Sequence, residues 1–174
     1  RYRDQKGAYF DLGLYPSNPW MDEASQADQA LINAFIRQES RFNSAAKNAS
    51  GATGLMQIMP STASFITGND RLETVDKHQL KDPYINVQIG GSYLDHLMRL
   101  DSVDGDLFSL AIAYNAGPGN LARWKRTMAD IDDPLLFIEM IPMSETRAFV
   151  ERVMANYWIY RHRFGQDTPT LEAV

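Results

Sequence analysis

The chain has no cysteine. That excludes disulfide staples, thiol nucleophiles and thiolate metal sites, and leaves the compartment open. It also lacks any apolar run near the roughly 20 residues that a membrane-spanning helix needs. Histidine is scarce: His78, His96 and His162 lie far apart, without metal-ligand spacing. The acidic stretch DSVDGD, residues 101–106, lacks the twelve-residue calcium loop and its closing glutamate, and reads as a helix cap. No metal or cofactor is assigned. Positive charge is not in excess, and a net charge of −5 argues against nucleic acid as a partner. The opening RYRDQKG has neither methionine nor a signal-like segment, so the chain reads as mature or trimmed. No stretch alternates with the period of a strand, and no repeat or low-complexity tract occurs.

What is present describes a helical domain. The chain has 174 residues, 44% hydrophobic and 22% charged, enough for one soluble domain with a sizeable core. Residues 1–22, with Pro16 and Pro19, read as an irregular lead-in, and residues 23–174 as the body. Helices are expected over about 25–41, from STASFIT, from Asp82-Pro83 to about Leu100, after Asp106, near 119–129, and from Ser144 to about Phe164. The expected fold class is all-α.

The stretch FIRQESRFN, residues 35–43, poses a chemical question. Leu31, Ile32, Phe35, Ile36 and Phe42 fall on one helical arc, and Glu39 falls inside it, while Arg37 and Arg41 face the other way. A buried unpaired carboxylate costs several kcal/mol or takes up a proton. Two readings stand: a structural glutamate held by an arginine or by backbone N–H groups, and a functional acid.

Two further segments bear on the choice. In GATGLMQIMP, 51–60, glycines permit a tight chain path, Gln57 offers an amide, and Met56 and Met59 offer adaptable apolar surface. The plainer reading is a packed helix with Gln57 exposed. In AIAYNAGPGN, 111–120, Tyr114 and Asn115 end an apolar helix before a Gly-Pro-Gly turn, either lining a cleft or simply stopping a helix.

Taken together, ESRFNSAAKNASGATGLMQIMPSTA, AYNAGPGN and FIEMIPMSETRAFVERVMANYWIYR closely resemble the soluble lytic transglycosylases over about residues 25–164. Those are bacterial murein-cleaving enzymes with a lysozyme-like, all-helical catalytic domain, akin to goose-type lysozymes. The resemblance implies a periplasmic or envelope-associated protein that acts on peptidoglycan glycan strands, with no particular envelope protein partner indicated. It implies that Glu39 is the single catalytic acid/base, cleaving the bond from N-acetylmuramic acid to N-acetylglucosamine without water, to leave a 1,6-anhydromuramic end. Gln57, Met59 and Met56 would line the glycan groove. Tyr114 would lie near Glu39 and orient it or the sugar, and Asn115 would support that loop. Glu139, in FIEMIP, would bind a sugar or the muropeptide from the cleft wall. Glu145 and Arg147 would tie the last helix to the core. The family often has serine where this chain has Asn48, whose amide could bond the carboxylate or the substrate.

Two rival functions remain. A hydrolase on the same fold needs a second carboxylate to activate water, and Glu139 is the only motif-linked candidate. A non-catalytic murein-binding or scaffold domain would have no use for a costly acid such as Glu39.

Overall fold

The computed structural model describes residues 11–20 and 28–172. One turn of helix, α1 (Asp11–Leu14), precedes an extended stretch laid against the body. Tyr15 meets Tyr160 edge-on at 5.5 Å, and Tyr160 donates its hydroxyl to the Pro16 carbonyl at 2.6 Å. The Asn18 N–H reaches the Asn33 side-chain oxygen at 2.8 Å.

Asp28 sets where α2 (Gln29–Glu39) begins. One carboxylate oxygen accepts the N–H groups of Ala30 and Leu31, the capping arrangement worth about 1 kcal/mol. The other accepts the Tyr157 hydroxyl at 3.0 Å and Arg161 at 3.2 Å. One side chain therefore caps α2 and fastens it to the last long helix. Residues 25–27 of the expected helix lie outside the described residues. At the other end the expectation runs too long: α2 stops at Glu39. Ser40 caps it, and Arg41 and Phe42 take left-handed φ values of 52° and 65°. Phe42 is thus off the helical arc, although it still packs on the core.

Residues 40–59 form an irregular arm held by two isolated antiparallel bridges, Lys47 with Thr53 and Thr53 with Ile58. α3 (Pro60–Thr67) follows, then two short 3-10 turns, Asp70–Leu72 and Lys77–Lys81. Asp82 caps α4 (Pro83–Met98) through the Ile85 N–H, as Asp-Pro predicts. Asp106 caps α5 (Leu107–Ala116) through Phe108 and Ser109, which is the role expected of DSVDGD. Only Gly117 separates α5 from α6 (Pro118–Thr127). PLLFIEM forms α7 (Pro134–Met140), capped by Asp133. α8 (Ser144–Arg163) turns Val150, Val153, Met154 and Tyr157 into the core as expected, and the turn α9 (Pro169–Glu172) ends the described chain. Among the described residues there is no strand beyond the two bridges.

The core lies where α2 and α5 pack against α8. Leu31, Ile32, Phe35 and Ile36 are all buried there. The last turn of α2 leaves this core beside the arm, and Glu39 is the residue at that exit.

Candidate active site

Glu39 is the last helical residue of α2, one turn beyond the fully buried Phe35. Its side chain is mostly withdrawn from water, and among the described residues no hydrogen-bond donor reaches the carboxyl. Burial raises its pKa from 4.5 to about 8, and the negative charge of Glu145 adds to the rise. Among the described residues neither an arginine nor a backbone N–H holds it, so none of them supplies the partner that the structural reading requires. At neutral pH it is a carboxylic acid, able to donate a proton.

Tyr114 connects Glu39 to the arm. Its ring packs on Phe35 at 4.6 Å, lies parallel to Phe149 at 6.4 Å, and meets Tyr93 at 5.4 Å. Burial, the charge of Glu39 and Tyr93 all push its own pKa well above the usual 10, so it remains a phenol. The hydroxyl does not bond Glu39. It donates to the Met56 carbonyl at 2.7 Å, across 58 positions of sequence.

Met56 departs from its expected place. Its side chain is fully buried and seated on Gly90, where an added Cβ would come within 2.3 Å of the sulfur. It cannot line a groove, and its contribution at the site is the carbonyl that Tyr114 holds. The neighbouring Gln57 takes a left-handed φ of 46°, unusual without glycine. Its amide nitrogen donates to the carbonyls of Gly54 at 2.9 Å and Ala46 at 3.2 Å. Two carbonyls require the nitrogen on that side, which leaves the amide oxygen available as an acceptor. Met59 is 36% exposed just before α3, and its thioether is free to cover a ligand.

The remaining expected residues fall into two groups. Asn115 accepts the hydroxyl of buried Thr146 at 2.8 Å and so fastens the end of α5 to the first turn of α8. The tie at α8 is therefore Thr146, with Arg147 bonding the Ile141 carbonyl, and Glu145 stays exposed. Asn48 is exposed, and its side-chain oxygen closes a turn onto the Ala52 N–H at 3.0 Å rather than bonding Glu39. Glu139 is exposed on α7, on the edge of an apolar cavity of about 500 Å³ that includes Phe108, Leu136, Met154 and Trp158. Glu39, Gln57 and Tyr114 are not in that lining, and the charge that acts on Glu39 is Glu145.

One organising residue escapes the motif reading. Asn86, on α4, is 0% exposed. Its oxygen accepts the Met56 N–H at 2.8 Å, and its nitrogen donates to the carbonyls of Thr53 at 2.9 Å and Leu80 at 2.8 Å. The signal that could have found it is the one that found Glu39. Asn86 shares an apolar helical face with Gly90, Leu94 and Leu97, so a polar side chain there has to be satisfied internally.

Comparison with known proteins places the chain's family and fold. The family model for the Transglycosylase SLT domain matches residues 20–136, more than half the chain. The chain belongs to the lytic transglycosylase SLT family. It is 42% identical over 144 residues to the soluble lytic murein transglycosylase of Escherichia coli K12, covering 82% of this chain and 22% of that protein. The crystal structure of the 70 kDa soluble lytic transglycosylase from Escherichia coli superposes with a TM-score of 0.72 at 35% identity, covering 91% of this chain and 25% of that one. An inactive Glu-to-Gln mutant of the lytic transglycosylase Slt from Pseudomonas aeruginosa gives a TM-score of 0.70 at 33% identity, covering 82% of this chain and 23% of that one. This SLT chain thus spans about a quarter of the length of these relatives. The lysozyme-like helical architecture expected from sequence is borne out. Among the described residues, no helix is long and apolar enough to cross a membrane.

Proposed function

We propose that this SLT domain is a murein lytic transglycosylase, with Glu39 as its one acid and base. The observation that carries the reading is a carboxyl at the end of a buried helix, pushed up to about 8 by desolvation and without a hydrogen-bonding partner among the described residues. The protonated Glu39 gives its proton to the oxygen linking N-acetylmuramic acid to N-acetylglucosamine, and the C1–O bond breaks. The carboxylate then takes the proton of the muramic C6 hydroxyl as that oxygen closes on C1. The 1,6-anhydro ring forms, the acid is restored, and no water is consumed. A relative described as an inactive Glu-to-Gln mutant supports reliance on a single glutamate.

Gln57 and Met59 are assigned to the substrate face. With its nitrogen engaged, Gln57 serves as an acceptor for a sugar hydroxyl or acetamido N–H. Tyr114 and Asn115 act on the surrounding frame, through Met56 and Thr146 respectively. The envelope is the compartment where such a substrate is found.

The hydrolytic reading needs a second carboxylate near the acid, and Glu145 rather than Glu139 is the one whose charge reaches Glu39. Mass spectrometry of the sugars released from purified murein separates the two. Muramic ends lighter by one water, the anhydro form, are expected. Reducing ends only would overturn the transglycosylase reading, and no released sugar from folded protein would favour a binding module.

A further inference from the structure

We infer that Asn86 is a positioning residue of the substrate face, holding the segment that presents Gln57. This rests on the glycan reading of that face and concerns a residue outside it.

Alone, the loop has no regular structure to hold its path. Residues 53–57 lie in no helix or strand, yet they carry the left-handed Gln57 and the carbonyl on which Tyr114 is anchored. Such a path needs internal bonds, because its buried N–H and carbonyl groups cannot reach water. Asn86 supplies three from one amide: to the Met56 N–H, the Thr53 carbonyl and the Leu80 carbonyl. The third ties α4 to the 3-10 turn that precedes it, so one amide joins the arm, α4 and that turn. Gly54 confirms how closely the pieces approach. At φ 83°, an added Cβ would meet the Asn86 nitrogen and the Leu80 carbonyl at 2.3 Å. Met56 is thereby gripped from both sides, by α4 at its N–H and by α5 at its carbonyl through Tyr114. Gln57 is the next residue, so its backbone starts from a fixed peptide. Asparagine suits the post because it alone combines this short reach with one acceptor and two donors. Aspartate matches its size but places oxygen against two carbonyls.

The test reads binding without turnover. In the Glu39→Gln protein, affinity for the tetramer of N-acetylglucosamine is measured by calorimetry, alongside amide hydrogen exchange at Met56. Adding Asn86→Ser should weaken the tetramer by about tenfold and speed exchange at Met56. Leu121→Ala, a core truncation in α6, controls for general destabilisation and should leave affinity unchanged. If Asn86→Ser is poorly folded, Asn86→Asp keeps the acceptor for Met56, and its affinity should recover as acid protonates the new carboxylate and restores one donor. Unchanged affinity and unchanged Met56 exchange in a folded Asn86 variant would overturn the role. So would an equal loss of affinity in Leu121→Ala. If the Glu39→Gln parent binds no tetramer, the glycan reading fails, while Met56 exchange still decides whether Asn86 holds the loop.

Discussion

The hydroxyl of Tyr114 is spent on the Met56 carbonyl, 2.7 Å away, and not on the acid it sits beside. A direct bond to Glu39 would make Tyr114→Phe a defect in proton transfer. The observed bond makes it a defect in the loop ahead of Gln57. Phe keeps the ring contacts to Phe35, Phe149 and Tyr93 and leaves one buried carbonyl without a donor. The expected outcome is a loss of about 1–3 kcal/mol in unfolding free energy. In steady-state kinetics on glycan strands, KM should rise more than kcat falls. A fall in kcat alone, with stability unchanged, would return Tyr114 to the acid.

Glu39→Gln tests the acid through stability as well as rate. Below about 4.5 the side chain is protonated in both folded and unfolded chains, so the substitution changes little there. Between 4.5 and about 8 the unfolded chain has released a proton that the folded chain retains. Folding stability therefore falls as pH rises through that window. The variant escapes this loss, so it should be nearly inactive yet more stable than the parent at pH 8, on the order of 2 kcal/mol after allowing for partial solvent contact. The advantage should vanish near pH 4. Denaturant unfolding at the two pH values measures it, and an equal difference at both would contradict a buried neutral acid.

Glu39 was legible because a charge on an apolar arc is an anomaly visible within eleven residues of one helix. The Asp caps at 82 and 106 were legible for a similar reason: the side chain and the N–H groups it accepts are within three residues. The arm was not. Asn86 meets Met56 across 30 positions and Tyr114 meets it across 58, so no local pattern records either bond. A methionine before a polar residue gives no sign of which way the chain turns, and Gly90, which receives Met56, lies on another helix. The motif alone points to Glu139, and α7 sets it on the edge of an apolar cavity whose lining does not include Glu39.

The alkaline limb of activity should follow the ionisation of Glu39. With a raised pKa, the active protonated form persists to about pH 8 and declines above it. Glu145→Gln removes the second cause of the rise and leaves desolvation, the larger one, in place. Its alkaline midpoint should move down but stay above 4.5, with the plateau rate below it preserved. A rate profile across pH for parent and variant measures both. Loss of activity at every pH would instead mark Glu145 as a water-activating base and favour the hydrolase.

Gln57 offers a separation of backbone from side chain. Its left-handed φ of 46° costs a non-glycine residue about 1 kcal/mol, and its amide nitrogen offsets that through the carbonyls of Ala46 and Gly54. Gln57→Gly removes the strain and the amide together, so stability should change little. Gln57→Ala keeps the strain and loses both bonds, so it should be the less stable of the two by about 1–2 kcal/mol. Both lack the free amide oxygen. If that oxygen receives a hydrogen bond from the sugar before and during reaction, both should raise KM for glycan strands by a similar factor, about tenfold, whatever their stabilities. Gln57→Glu sharpens the point, because it keeps an acceptor toward the sugar but turns a second oxygen onto two carbonyls. It should fold less well than Gln57→Gly yet bind the glycan better when measured below its melting range. Paired thermal melts and KM values for the three variants give the answer. A KM that tracked stability across them would mean that Gln57 only shapes the arm and has no hand in holding the substrate.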